Sequence, residues 1–502
     1  MPGRLEFGFT MQEGLRDARP RPATAPMRVL LLGDFGGRAA RGVDAGGDLA
    51  TRPTLRVDHD NFDAVCARLA PQLEINAAGV QHALAFASLD DFHPDRLYAA
   101  GALFGGLRDL RRRLQDPAQF AAAAATLSAP AAARNELSGG RSGGRDDELL
   151  GRLLGGAAAP STASAPSAAP TPVSAVEALI RQAVAPHIVP AASPLQAQVM
   201  ASVDAAAGAQ MRGLLHAPAF QALESLWRAT HWLLSNLELE DQLQLHLFDV
   251  TRGEIEADLR AADGEWARSG LQRALVQRSQ DGGAPWSLLL SELSFDASAT
   301  DQALLAALGA LGALAGAPLL AGARPALLGW SDFESAPAAG SVADDIDSAR
   351  WQALRESPLA PWIGLAAPRW LARQPYGARS DPVEAFAFEE IDSAATHEQF
   401  LWAPPAFACA LLMARAYAAE GWDGDPNADR DIADLPAVTL VRDGEPALLS
   451  CAEGYFGERG TQALLAAGVM PLVGDRSRNA VRVARVQSIA EPPGALGRPR
   501  AH

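Results

Sequence analysis

The sequence predicts an α/β fold of mixed sheets with flanking helices. Short apolar runs such as "MRVLLLG" (27–33), "QLQLHLFDV" (242–250) and "WSLLLSELSF" (286–295) read as strands bounded by turn residues. Stretches with helical periodicity stand between them. From 286 to 323 the order is strand, helix "DQALLAALGALGALAG" (301–316), strand "PLLAGA" (318–323). That order is a crossover, and a crossover pairs its strands in parallel.

The elements follow in order along the chain. Residues 1–128 form a first segment. "MRVLLLGDFGGR" (27–38) is a buried strand and a turn. In "VDHDNFDAVCARLAPQL" (57–73), Phe62, Val65, Cys66 and Leu69 recur at helical spacing, and Pro71 stops the helix. "HALAFAS" (82–88) alternates as a strand, and 95–127 reads as one or two amphipathic helices. Residues 129–175 form an Ala/Pro/Ser/Gly-rich linker, too poor in apolar area to offset its ordering entropy. One island interrupts it: "DDELLGRLLGG" (146–156), a short leucine-rich helix whose sticky face is Leu149, Leu150, Leu153 and Leu154. It reads equally as a docking peptide and as a packing segment.

Residues 176–490 form a second segment. In "HAPAFQALESLWRATHWLLSNL" (216–237), Phe220, Leu223, Trp227, Thr230 and Leu234 share one helix face. The strand–helix–strand crossover follows, then "APWIGLAAPRWLARQPYG" (360–377) and a long helix within 400–422. Residues 491–502, "EPPGALGRPRAH", read as a disordered tail. On these residues alone the chain is two folded parts and a tether.

Composition narrows the function classes. The 502 residues carry 43 basic and 59 acidic side chains, a net charge of −16. That sign repels phosphate backbones, so nucleic acid is not an expected partner. Cys66, Cys409 and Cys451 are far apart and form no CxxC pair, which fits a reducing compartment. The start has no apolar signal-like stretch. The most apolar stretch (303–323) approaches the length of a membrane span. It is mostly Ala and Gly and contains Pro318, so it reads as a core helix and a buried strand. No membrane insertion is expected, and the chain reads as cytoplasmic.

No catalytic constellation emerges. "FASLDDFHPD" (86–95) gathers Asp90, Asp91, His93 and Asp95, but no second histidine stands at HxH or HxxxH spacing to complete a metal site. The favoured reading is a structural corner: a strand end, an Asp-rich cap, Phe92 packed inward and Pro94 opening the next helix. "GDFGGR" (33–38) fits neither the Walker A nor the dinucleotide fingerprint and reads as a turn. "WLARQPYGARSDPVEAFAFEE" (370–390) concentrates Arg373, Arg379, Asp381, Glu384, Glu389 and Glu390 in a loop fixed by Pro375, Gly377 and Pro382. It too reads as structural. The three thiols have no neighbouring His or Lys to activate them. Catalytic, cofactor-binding and metal-binding residues are therefore expected to be none, and the chain is not expected to be an enzyme.

Two blocks of the chain resemble two protein families in succession. "LLLGDFGGR", "RPTLRVDHDNFDAVCARLAPQL" and "LAFASLDDFHPDRL" resemble the small sheath subunit of the type VI secretion system (TssB/VipA). "LLHAPAFQALESLWRATHWLL", "WSLLLSELSF", "ARWQALRESPLAPWIGLAAPRWLARQPYGARSDPVEAFAFEE" and "FLWAPPAFACALLMARAYAAEGW" resemble the large subunit (TssC/VipB). The resemblance implies a contractile, phage-tail-like sheath protomer fold. It implies a structural role with other sheath subunits, an Hcp inner tube and a baseplate as partners. Phe86, Leu89, Asp90, Asp91, Phe92, His93 and Pro94 are then a packing motif between the two halves. The 146–156 helix lies where such proteins dock the AAA+ unfoldase ClpV, through Leu149, Leu150, Leu153 and Leu154. The second segment stops short of the family pattern, without its usual interlocking region. The alternative is thus a sheath-derived accessory part, a cap, adaptor or terminator that binds a sheath end without polymerising.

Overall fold

The computed structural model describes residues 25–43, 48–77, 80–128, 194–263, 265, 268–277, 283–333, 348–391, 396–442, 445–475 and 477–497. The first segment supplies strands β1 (Met27–Gly33), β2 (Leu55–Val57), β3 (Gln72–Ala77) and β4 (Val80–Ala85). The second supplies β5 (Leu243–Asp249), β6 (Leu288–Phe295), β7 (Leu319–Ala323), β8 (Ile363–Ala367), β9 (Trp370–Leu371) and β10 (Trp402–Ala403). It continues with β11 (Asp431–Ile432), β12 (Val438–Arg442), β13 (Glu445–Leu449), β14 (Val469–Gly474) and β15 (Val481–Val483).

Nine strands make one sheet in the order β11-β15-β14-β8-β7-β6-β1-β5-β2. Its interior is parallel, from β14 through β8, β7, β6 and β1 to β5. Antiparallel strands close both edges, β2 on β5 and β15 with β11 beyond β14. Parallel strands are covered on both faces, which is why their sequences run apolar without alternation. All five residues of β7 and all five of β8 are buried. The expected crossover is present: helix Ala299–Ala315 links β6 to β7, and the two pair in parallel.

The two folded parts expected from the sequence share one sheet. Strand β1 lies between β5 and β6 and pairs with both, from Met27 opposite Leu243 to Gly33 opposite Asp249. The first segment therefore supplies an inner strand of the second segment's sheet. Successive residues of β1 point to opposite faces. Met27, Val29 and Leu31 enter one core with Phe62, Phe92, Trp227 and Phe407. Leu30 and Leu32 enter the other with Ile255, Leu304 and Leu464. The first core draws side chains from both segments, so neither can bury its own apolar face alone.

Other elements match the sequence with shifted bounds. Helix Phe62–Leu69 buries Phe62, Val65 and Cys66 and ends at Ala70 in the left-handed conformation. Helix Pro218–Ser235 buries Phe220, Leu223, Trp227, Thr230 and Leu234. The amphipathic stretch after residue 94 is broken into three helices, Pro94–Ala100, Gly105–Gln115 and Phe120–Ser128, because Gly101 and the Asp116–Pro117 step interrupt it. The expected disordered tail is corrected for residues 491–497. Leu496 is buried, the Gly497 amide donates to the Pro361 carbonyl and Glu491 pairs with Arg355. Apolar contact with the sheet rim orders this stretch, which its Pro/Gly content concealed. Among the described residues no helix is long and apolar enough to cross a membrane. The leucine-rich helix with Leu149, Leu150, Leu153 and Leu154 lies outside the described residues.

Candidate packing site between the two segments

The stretch 86–95 folds into a corner built from its own sequence. Asp91 accepts from the Ala87 amide (2.7 Å) and the Ser88 amide (3.0 Å), and with Ser88 it forms a capping box around the turn Leu89–Phe92. His93 caps the next helix: its Nδ1 accepts from the Asp95 amide at 3.2 Å, and Pro94 opens that helix where no donor is needed. Asp90 is exposed and serves the turn through its carbonyl, which accepts from the His93 amide.

The corner's other face is the joint. Phe86 and Phe92 stack at 4.1 Å between centroids, and Phe220 of helix Pro218–Ser235 meets both edge-on, at 6.0 and 5.7 Å. All three rings are buried. Such aromatic pairs add about 0.5–1.5 kcal/mol beyond their area burial. Leu89 packs at the margin of the same core. Asp95 accepts from the amides of Glu384 (3.1 Å) and Ala385 (2.9 Å), tying the corner to the 370–390 loop. The His93 ring meets Tyr376 edge-on at 5.0 Å, and its Nε2 stands 3.6 Å from Asp381.

Behind Tyr376 lies a buried ionic network. Arg373 donates to Glu224 (2.7 and 3.3 Å) and to Glu390 (2.7 and 3.0 Å). Arg228 donates to Glu224 at 2.7 Å and to the Tyr376 hydroxyl at 2.8 Å. The Tyr376 amide donates to Glu390 at 2.7 Å, and the Arg373 guanidinium lies 4.1 Å from the Tyr376 ring centroid. Two arginines thus balance two carboxylates. Burial alone would raise the Glu224 carboxyl, but Arg373 and Arg228 outweigh it and hold it below the usual range. Burial pushes the Tyr376 phenol up to about 12. His216, 3.8 Å from Glu390, is held below its usual value by burial despite that carboxylate. Arg373, Arg228, Glu224, Glu390 and Tyr376 satisfy one another, while the buried His216 Nε2 has no hydrogen-bond partner among the described residues.

A second joint sits at the carboxyl ends of β1, β5 and β6. Asp34, just past β1, accepts from the amides of Arg38 (2.9 Å) and Ala39 (2.8 Å) and sets the "GDFGGR" turn. Gly37 takes φ +65°, where a side chain would be strained and would strike the Gln72 carbonyl. Arg38 pairs with Asp249 at the end of β5 and with Glu254 (2.7 Å), and Arg52 holds Glu254 at 2.8 and 2.9 Å. This end of a parallel sheet is where open α/β folds place their ligands. Here it is filled by pairing between segments and by Trp227, whose Nε1 donates to the Phe35 carbonyl at 3.1 Å.

The structure therefore brings together Phe86, Leu89, Asp91, Phe92, His93 and Pro94 at the joint, and leaves the Asp90 side chain outside it. The polar loop predicted at 370–390 divides: Arg373 and Glu390 are buried, while Arg379, Asp381, Glu384 and Glu389 are exposed. Among the described residues no cluster of three or more His, Cys, Asp or Glu could hold a metal ion. Sequence reasoning missed Glu224, Arg228 and Glu254. The signal for Glu224 is one carboxylate beside the apolar face of an otherwise well-patterned helix.

Such a fold, with its two joints, defines a two-segment α/β protein whose halves share one sheet and both of its cores. Comparison with known proteins gives the same division. Residues 197–490 match the VipB family, described as a tail sheath N-terminal domain (EvpB), and residues 21–129 match the VipA family of the type VI secretion system. The chain belongs to the VipB tail sheath family and carries a VipA-like segment ahead of it. A type VI secretion system sheath protein, TssC1 of Pseudomonas aeruginosa, is 31% identical over 300 residues, covering 58% of this chain and 60% of that protein. The chain thus spans less than two thirds of the curated relative it matches.

Proposed function

We propose that this protein is a structural subunit of a type VI secretion contractile sheath, with small-subunit-like and large-subunit-like halves fused in one polypeptide. In this reading it packs with other sheath subunits around an Hcp inner tube on a baseplate, works in the cytoplasm, and carries out no bond chemistry itself. The observation that supports it most is the seating of β1 between β5 and β6, in a chain where a VipA-like and a VipB-like segment follow each other. Fusion fixes the ratio of the halves at one to one and raises the effective concentration of each for the other.

Negative-stain electron microscopy of the purified chain, alone and mixed with a separate small and large sheath pair, tests this. Long tubes from the chain alone are the expected result. Particles that only decorate or shorten tubes made by the pair would overturn self-assembly and favour the accessory reading. Within the same proposal, Leu149, Leu150, Leu153 and Leu154 dock the unfoldase ClpV. Changing Leu149 and Leu153 together to Asp should abolish ClpV pull-down with the melting temperature unchanged, and retained binding would sink the assignment.

A further inference from the structure

Glu292 is a carboxylate the sheath reading does not use. It lies half-buried on β6, and its Oε1 accepts from the Asp34 amide at 2.7 Å, so it holds the end of β1 from the neighbouring strand. It sits close under Gly33: a Cβ built there would lie 3.3 Å from its carboxyl and 2.9 Å from Leu226. The charged groups around it are all of one sign or already committed. From the β1 turn comes Asp34, bound by two backbone amides. From β5 comes Asp249, bound by Arg38 and the Gly36 amide. Arg38 itself is divided between Asp249 and Glu254 of helix Arg252–Ala262. Helix Pro218–Ser235, packed above, turns Leu226 toward this point, while its Glu224 and Arg228 are held in the Tyr376 network. Among the described residues no arginine donates to Glu292 in the way Arg38 and Arg52 donate to Glu254.

We propose that Glu292 is a proton-dependent latch on the joint between the segments: protonated it seats β1 beside β6, and ionised it sets a third negative charge against Asp34 and Asp249 and loosens that seat. The electrostatics agree with the geometry. Partial burial, with Asp34 and Asp249 adding to it, pushes the carboxyl up to about 8 despite the Asp34 hydrogen bond. The folded state therefore holds a proton that the unfolded chain has released. Stability from this group is fully present below the ordinary glutamate range and is lost as pH rises toward about 8.

The test uses the full chain and Glu292→Gln, which keeps an acceptor for the Asp34 amide and cannot ionise. Infrared spectra at neutral pH should show the carbonyl band of a protonated carboxyl in the wild type and lose it in the variant. Between about pH 6 and about pH 9 the wild-type melting temperature should fall by several degrees more than that of the variant. Amide exchange along β1, corrected for its intrinsic pH dependence, should rise over the same range in the wild type alone. An absent infrared band, or parallel melting curves, would overturn the proposal. Should Glu292→Gln be too unstable to purify, Glu292→Asp replaces it, and an unshifted infrared titration in that variant overturns the proposal equally.

Discussion

Arg373 shows how much of this fold rests on single charges taken out of water. It is the cation common to Glu224 and Glu390, and all three are buried. Desolvating such groups costs several kcal/mol per ion, which is offset only because every oxygen and nitrogen finds a partner. Removing the cation alone should therefore be expensive. Arg373→Met is expected to lower unfolding stability by about 3–5 kcal/mol, because it strands the buried Glu390 and leaves Glu224 to Arg228 alone. Adding Glu390→Gln should recover much of that loss, since the stranded charge is then gone and Glu224 keeps Arg228. Urea titrations of the single and double variants check this, and a double variant no better than the single would mean that packing, not charge, carries the effect. The sequence offered Arg373 and Glu390 as a polar loop. It could not offer Glu224, which joins them from 149 positions away.

At the scale of the element, β1 is the piece whose placement matters most. Its seven residues are a strand by composition alone, but composition does not say which strands receive it. Parallel neighbours β5 and β6 present a full ladder of donors and acceptors to it, and buried backbone groups must be paired. The second segment (194–502) expressed alone should therefore be insoluble or loosely packed, with β5 and β6 unpaired on their facing edges. Co-expression with residues 1–128 as a separate chain should restore a soluble complex in one-to-one ratio. Gel filtration with near-ultraviolet circular dichroism decides it, and a well-folded second segment on its own would show that β1 is dispensable. The corner at 86–95 belongs to the same scale. Its Asp-rich cap and Pro94 were legible because they act on neighbours within a few positions, whereas the Ser88 half of the capping box was not read. Its target, Phe220, was not, because the aromatic contact is made in space rather than along the chain.

At the scale of the whole molecule, the family matches, the shared sheet and the two joints describe one architecture. The crossover at 286–323, the helix at 218–235 and the helix at 406–420 stand where their periodicity put them. The two parts read from the sequence share one sheet and its cores, and the reason is physical. Each segment has a hydrophobic pattern good enough to look self-sufficient, yet part of its apolar surface packs against the other segment. Helical and strand periodicities report which face of an element is buried. They do not report what it is buried against. By itself, then, the sequence determined the elements, their turns and caps, and the resemblance to a sheath, because these depend on neighbours along the chain and on whole motifs. Only the tertiary structure decided that β1 lies between β5 and β6, that Glu224 answers Arg373, and that Glu292 stands under Gly33. Those pairings join residues some 150 to 260 positions apart, and contacts made by chain closure over such lengths leave no local trace in either partner.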